Sequence, residues 1–235
     1  MADSKDQKSL SQKLSDYVSF VAKQPKGFVY REERTKTAAP KQAATKTKKQ
    51  GLEELFCKYV DCQACPLATQ GRTQVVFGNG NASTRLMFIG EGPGKDEDEQ
   101  GLPFIGRAGQ LLTKIIEAMD MKREDVYISN VVKCRPPGNR VPLPIESNTC
   151  KNLLLFKEID IIKPQIICTL GATATQAVLG DDVKITKARG MFFSFKGIPV
   201  IPTYHPAYLL RNPAEKKTVW EDMKKIMEKF KELSV

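Results

Sequence analysis

Six cysteines and a single histidine are the residues of this chain best suited to metal or acid–base chemistry. Four of the cysteines fall into two pairs, one a CxxC and the other with fifteen residues between its members: Cys62 and Cys65, then Cys134 and Cys150. Four thiolates are enough to complete a tetrahedral zinc site or to hold an iron–sulfur cluster. The spacing predicts a metal site but does not choose between these two metals.

The histidine, His205, opens the segment HPAYLLRNP directly after the apolar run IPVIPTY. Because a histidine can exchange a proton near neutral pH, a position at the end of a strand is compatible with catalysis. Taken alone, however, the spacing favours a histidine that is held by hydrogen bonds at a turn. A catalytic role depends on what else the fold brings to the same place.

A glycine-rich segment, GEGPG at residues 90–94, is followed by a run of carboxylates. It matches neither the GxGxxG of dinucleotide-binding loops nor the GK[ST] ending of phosphate loops, and Pro93 removes one backbone amide. Glu91 and the four acidic residues at 96–99 would crowd one loop with negative charge and repel a phosphate, unless some of them point elsewhere. Carboxylates here are better suited to a reacting centre that becomes cationic.

The elements that must position these residues alternate between strand and helix. Apolar runs predict buried strands at residues 85–89, 126–132, 165–170 and 198–204. Helices are predicted at residues 109–119, 150–162, 172–179 and, with one apolar face for the core, 214–233. This order predicts an α/β fold with a mainly parallel sheet that is covered on both faces. Since ligands bind at the carboxyl ends of parallel strands, we expect the chemistry to gather at one edge.

Composition indicates one folded domain, residues 51–235, preceded by a basic N-terminal extension, residues 1–50. The chain is 41% hydrophobic, and the extension carries 12 basic and 5 acidic residues of a chain whose net charge is +10. Within the extension we predict a short amphipathic helix at 9–23 and a flexible basic linker at 34–50. The linker is compatible with a non-specific hold on nucleic acid and equally with a solvated spacer.

The location of the protein is predicted from its apolar runs and its cysteines. No apolar run reaches 18 residues, and the first residues lack the pattern of a secretory signal. Cys168 lies in an apolar run and is expected in the core, while Cys57 has no clear assignment. Cysteines that bind a metal or pack in the core, rather than form disulfides, are typical of a reducing compartment. We therefore expect an intracellular, cytoplasmic protein with no membrane association, nucleoid-associated if the source is prokaryotic.

Several segments together resemble the iron–sulfur uracil-DNA glycosylases known as family 4. They are the four cysteines and, in order, GEGPGKDED at 90–98, PFIGRAGQLL at 103–112, YISNVVKCRPPGNR at 127–140 and HPAYLLRNP at 205–213. The resemblance extends over about residues 52–232. It implies a three-layer α/β/α sandwich around a four-stranded, mainly parallel sheet. It also implies a [4Fe-4S] cluster held by Cys62, Cys65, Cys134 and Cys150.

The same resemblance implies an enzyme that flips uracil out of DNA and hydrolyses its N-glycosidic bond. Phe104 would stack on the base, and the Asn130 amide would pair with uracil O4 and N3–H. Glu97 would lie where the methyl group of thymine would go. Gly90 and Gly94 would let the backbone approach the substrate.

The resemblance also assigns residues to bond cleavage. His205 and the backbone amides around Gly92 would stabilise the departing uracil anion. The better-known glycosylases of the superfamily orient water with an aspartate at the position that Gly92 occupies here. Glu91 is the nearest replacement for that aspartate.

Three residues after His205 would contact the DNA, and uracil-containing DNA is the expected partner. Either of two leucines would fill the gap left by the flipped base, and an arginine would contact a phosphate or the unpaired base: Leu209 or Leu210, and Arg211. We expect a monomer, with an N-terminal extension available to a replication or repair protein.

Three alternatives are compatible with parts of the sequence. Some relatives trap the abasic sugar through a histidine in an inserted loop, but the corresponding segment KITKARGMFF contains none. A zinc-dependent base deaminase would need an HxE…PCxxC order, which is absent. A non-enzymatic nucleic-acid-binding protein that is stabilised by a bound metal is compatible with the composition, although no motif indicates it. Colour separates the cofactors, because an iron–sulfur protein is brown and a zinc protein is colourless.

Overall fold

The computed structural model describes residues 46–233. The helix predicted at 9–23 and most of the linker predicted at 34–50 lie outside this range. Helix α1 (Lys48–Tyr59) includes the last three residues of that linker. It starts there because the Thr47 hydroxyl accepts a hydrogen bond from the Gln50 N–H, and the Gln50 side chain accepts one from the Thr47 N–H. The predicted boundary at residue 50 therefore falls inside a helix.

A six-stranded sheet forms the middle layer. Its strands are β1 (Asn79–Gly80), β2 (Leu86–Gly90), β3 (Tyr127–Asn130), β4 (Ile166–Leu170), β5 (Phe193–Phe195) and β6 (Ile198–Thr203), in the spatial order β1-β3-β2-β4-β6-β5. The four inner strands are parallel, which confirms the predicted parallel sheet. The two edge strands are antiparallel and were not predicted. At two and three residues they are too short to show a periodicity.

Helices cover both faces of the sheet, so the three-layer α/β/α sandwich is confirmed. The remaining helices are α2 (Lys95–Gln100), α3 (Arg107–Ala118), α4 (Pro144–Cys150), α5 (Phe156–Ile162), α6 (Ala172–Leu179), α7 (Ile185–Ala188), α8 (Pro206–Arg211) and α9 (Lys216–Glu232). The helix predicted at 150–162 starts earlier, at Pro144, and passes from α4 to α5 through a π-helical turn. Within the described range, none of the helices is long and apolar enough to cross a membrane.

Two apolar cores flank the sheet, one on each face. Helices α1, α5 and α6 pack on one face, against the side chains of Met87 and Ile167 among others. Helices α3, α8 and α9 pack on the other, against Phe88 and Cys168. Because both faces are covered, successive side chains of β2 and β4 are all buried, which explains their unbroken apolar sequence. Cys168 is a core residue, as predicted.

Candidate active site and metal centre

The carboxyl ends of the parallel strands border a cavity of about 210 Å³. Its walls come from the loop after β2, the turn before α3, the segment after β3 and the start of α8. Of the predicted residues, six line it: Glu91, Gly92, Gly94, Glu97, Phe104 and His205. Backbone bonds from Val131 N–H to the Gly90 carbonyl and from Val132 N–H to the Glu91 carbonyl, at 2.9 and 3.1 Å, hold the first wall in place.

Asn130, the last residue of β3, lies in register with Gly90, the last residue of β2. Its Oδ1 is the one buried side-chain N or O atom without a hydrogen-bond partner in the described part of the chain. A Cβ on Gly90 would lie 2.6 Å from this oxygen and 2.3 Å from the Phe104 ring, so only glycine lets the two groups meet there. Neither Asn130 nor Gly90 lines the open cavity itself; both lie next to Phe104, which does.

Phe104 is held in an unusual backbone conformation. Its φ of 53° is in the left-handed region, which a bulky residue seldom adopts. The ring is 6% exposed, and its centroid lies 5.5 Å from that of the His205 imidazole. Gly109, in α3, leaves room for this turn, because a Cβ there would lie 1.9 Å from the Phe104 carbonyl oxygen. The segment PFIGRAG thus builds a turn that presents an aromatic ring beside the histidine.

His205 caps α8, since its Nδ1 accepts a hydrogen bond of 3.1 Å from the Ala207 N–H. A ring nitrogen that accepts carries no proton, so the neutral imidazole has its proton on Nε2. Burial, together with the positive charge of Arg211, lowers the pKa of His205 from 6.5 to about 4. The ring is therefore a neutral hydrogen-bond donor at pH 7. His205 is therefore held at a turn by a hydrogen bond and also lines the cavity.

The carboxylates at 96–99 do not all face the cavity. They belong to α2, where acidic side chains in the first turn face the positive end of the helix dipole. Asp98 is buried, and both of its carboxylate oxygens accept from the Thr73 N–H, at 3.0 and 2.9 Å. Its carboxylate therefore makes a structural contact and does not face the cavity. Asp96 and Glu99 are exposed and do not line the cavity.

Two carboxylates do line the cavity, and both are fixed. Glu97 accepts hydrogen bonds from three backbone amides at 3.1, 3.0 and 2.9 Å: those of Gly94, Ile105 and Gly106. It thereby ties the loop after β2 to the turn before α3. Glu91 accepts a 2.5 Å hydrogen bond from the hydroxyl of Thr173, at the start of α6.

The structure separates the two leucines that follow the histidine. Leu209 is 1% exposed and packs in the core, whereas Leu210 is 38% exposed. The side chains of neighbouring helical residues point about 100° apart, so only one of the two can face the core. Of the two leucines between which the sequence left the choice open, Leu210 is therefore the one available for a DNA contact, and Leu209 belongs to the core. Arg211 is exposed at the end of α8 and close enough to His205 to affect its pKa.

The four paired cysteines come together beside the core that α1, α5 and α6 cover. Burial raises the pKa of Cys65 and Cys134, and that of Cys150 to about 12; thiols of the same group contribute to each of these shifts. Cys62 is partly buried in the same cluster. Cys57 lies in α1.

Two donors point at the sulfurs of this group. Arg72 donates from Nη1 to Cys134 Sγ at 2.9 Å, and the backbone N–H of Lys133 donates to Cys150 Sγ at 3.3 Å. Among residues 46–233, no three His, Cys, Asp or Glu side chains lie close enough to hold one metal ion.

Polar residues that the sequence did not indicate include two that line the cavity and two that support its walls. Asn139 and Arg140 line the cavity, and their position in the quoted motif YISNVVKCRPPGNR was the only signal for them. No sequence signal indicated Thr173 or Arg123. Thr173 is 82 residues away from its partner Glu91 in the chain, and Arg123 is 20 residues away from its partner Pro103.

Comparison with known proteins identifies the family. Residues 77–224 match the family model described as the uracil DNA glycosylase superfamily. The chain is 49% identical to a type-4 uracil-DNA glycosylase of Thermotoga maritima, an alignment that covers 76% of this chain and 94% of that protein. It is 37% identical to the type-4 enzyme of Archaeoglobus fulgidus, over 76% of this chain and 93% of that protein. A type-5 enzyme of Pyrobaculum aerophilum is more distant, at 28% identity over 67% of this chain and 83% of that protein. The chain belongs to the type-4 uracil-DNA glycosylases.

Proposed function

We propose that this protein flips uracil out of DNA and hydrolyses its N-glycosidic bond, leaving an abasic site and free uracil. The observation that carries the proposal is the unpaired Oδ1 of Asn130, buried next to Phe104 at the edge of the cavity. Leaving a buried acceptor unpaired costs about 1–3 kcal/mol. A ligand that brings a donor to this atom recovers that free energy, and the N3–H of uracil is such a donor.

Base selection follows from the same amide. With Oδ1 accepting from uracil N3–H, the amide nitrogen of Asn130 is free to donate to uracil O4. Cytosine presents an acceptor at N3 and a donor at its amino group. The Asn130 oxygen would then face an acceptor, and the Asn130 amide nitrogen would face a donor. A site built in this way rejects the wrong base by up to about 10⁴–10⁵. The buried ring of Phe104 would stack on the extruded base.

Thymine would be rejected by Glu97. Three backbone amides hold this carboxylate, including that of Gly94 in the cavity wall, so it cannot swing aside for a methyl group at C5. A rigid polar wall disfavours the methyl group through its volume and by removing water from the carboxylate.

Bond cleavage separates charge. As the bond from the sugar C1′ to uracil N1 breaks, the electron pair leaves with uracil and the sugar becomes cationic. The neutral His205 would donate from Nε2 to uracil O2, and backbone amides around Gly92 would add to this stabilisation. Glu91, in the cavity wall, would stabilise the cationic sugar and accept the proton of the water whose oxygen adds to C1′. The uracil anion then takes up a proton from solvent.

On the DNA side, Leu210 and Arg211 are the exposed side chains after His205. Leu210 would enter the gap that the flipped nucleotide leaves, and Arg211 would contact a phosphate or the unpaired base. Leu209 has no part in this contact, because it is buried.

The cysteine group fits a [4Fe-4S] cluster, with Cys62, Cys65, Cys134 and Cys150 as ligands. In a tetrahedral zinc site with Zn–S bonds near 2.3 Å, the sulfurs lie about 3.8 Å apart. A [4Fe-4S] cluster instead takes one thiolate on each of its four irons, and the resemblance to the iron–sulfur glycosylases, not the geometry of the cysteines, favours it over zinc. Burial disfavours free thiolates here, so the positive charge of iron would offset that cost. A bound cluster would supply a structural crosslink between the CxxC turn and the segments after β3.

We also propose that the protein acts as a monomer, as expected from the sequence. The six cysteines lie in the described range and form no disulfides, which supports a reducing intracellular compartment. The basic extension remains a proposed contact for nucleic acid or for a replication or repair protein.

Alkaline cleavage tests the proposal directly. A labelled oligonucleotide with one uracil is incubated with the protein and then heated in alkali, which breaks the strand at an abasic site. We expect cleavage at uracil and none in the matched oligonucleotide that has cytosine there. An intact uracil strand would refute the proposed activity.

A further inference from the structure

We propose that Arg123 is a positioning residue of this site: its guanidinium holds the turn that carries Phe104 in the conformation that stacks on the base. The inference rests on the proposed stacking role of Phe104. It adds a residue that does not itself line the cavity.

Arg123 lies just before β3 and connects two elements. Its Nη2 donates to the carbonyl of Pro103 at 2.6 Å, and its Nη1 donates to Thr113 Oγ1, in α3, at 3.2 Å. The Thr113 hydroxyl in turn donates to the Gly109 carbonyl at 3.2 Å. The guanidinium therefore joins the peptide group directly before Phe104 to the helix turn over which the Phe104 carbonyl packs.

The other side of the turn is held by opposite charge. Glu97 accepts from the amides of Ile105 and Gly106, the two residues after Phe104. A cation thus holds the carbonyl before Phe104, and an anion holds the amides after it. This pair of contacts accounts for a φ of 53° at a residue with a bulky side chain.

The charge state of Arg123 is suited to this task. Burial lowers the pKa of its guanidinium to about 10, and the negative charge of Glu97 acts in the opposite direction. The group stays protonated near neutral pH. The planar guanidinium presents two nitrogens at a fixed separation to Pro103 and Thr113, a geometry that the flexible ammonium of lysine does not reproduce.

The test is a double-mutant cycle between positions 123 and 104. Single-turnover uracil release at saturating enzyme, and the Kd for the DNA, are measured for wild type, R123M, F104A and the double variant. We expect R123M to slow release by about 10- to 100-fold, as for a misplaced substrate group, with little change in Kd. In the F104A background we expect R123M to add less than about threefold, since the ring to be positioned is gone.

Two further variants separate positioning from loss of stability. R123K should recover part of the rate, because its ammonium keeps the charge and the donors but not the fixed geometry of the guanidinium. R85M is the matched control, because Arg85 also binds a side chain and a carbonyl, Gln165 and Phe230, at the amino end of β2 away from the cavity. R85M should lower the Tm without slowing release.

Each outcome decides a specific claim. Equal slowing by R123M in both backgrounds would refute the inference, as would full-rate release by R123M while F104A is slow. If R123M does not fold, the same cycle with R123K decides. Full-rate release by F104A would instead refute the stacking role itself, and the inference with it.

Discussion

His205 is predicted to titrate near pH 4, and because it is the only histidine in the chain, this can be measured without ambiguity. A pKa lowered from 6.5 to about 4 means that the unfolded chain binds a proton in this range that the folded chain does not. The contribution of His205 to the free energy of unfolding is complete above pH 6.5 and is lost as the pH falls towards 4. At about 1.4 kcal/mol per unit, the loss between pH 7.5 and pH 5 is about 2 kcal/mol.

Two measurements test this prediction. In NMR, the single imidazole should titrate near pH 4 and should carry its proton on Nε2 while neutral. In urea unfolding, wild type should lose about 2 kcal/mol more than H205Q between pH 7.5 and pH 5, since every other group is common to both proteins. A measured pKa of 6 or above, or parallel pH profiles for the two proteins, would refute the argument that burial keeps this ring neutral.

Four further predictions concern the rest of the molecule. N130D should lose its discrimination between uracil and cytosine, and unchanged discrimination in the oligonucleotide assay would remove Asn130 from base reading. L210A should slow release from duplex far more than from single-stranded DNA at unchanged stability, whereas L209A should lower the free energy of unfolding by about 2–5 kcal/mol; the opposite pattern would reverse the two assignments. C134S should lose absorbance near 400 nm and melt at lower temperature than wild type, and a colourless wild type would exclude a cluster. Deleting residues 1–45, with nine basic and five acidic side chains, should make the salt dependence of DNA binding shallower, and an unaltered slope would mean a passive extension.

Much of the fold was predictable because it depends on local pattern. The four inner strands are buried on both faces, so each reads as an unbroken apolar run, and the prediction placed them within two residues of their observed ends. The edge strands and the early start of α4 were not predicted. Strand β5 pairs with β6 through a tight turn in which Lys196 and Gly197 have φ values of 51° and 79°, and such a turn has no strong signature when lysine holds the first position.

The candidate residues were identified from the sequence, but their roles in the structure were not. Spacing indicated the four cysteines, and strand ends indicated Asn130 and His205. For the acidic run at 96–99 the sequence left open which carboxylates face the site, because a count of charge along the chain cannot show that Asp98 is hydrogen-bonded inside the fold while Glu97 is fixed by backbone amides.

The sequence by itself determined the α/β alternation, the strand ends and the family, because these follow from periodicity and from motifs that lie within one segment. Only the tertiary structure decided which leucine is exposed, which nitrogen of His205 carries the proton, and that Arg123 and Glu97 hold Phe104 from both sides. These properties depend on hydrogen bonds and packing between segments far apart in the chain. No local pattern records such contacts, because the partners are chosen when the layers pack together.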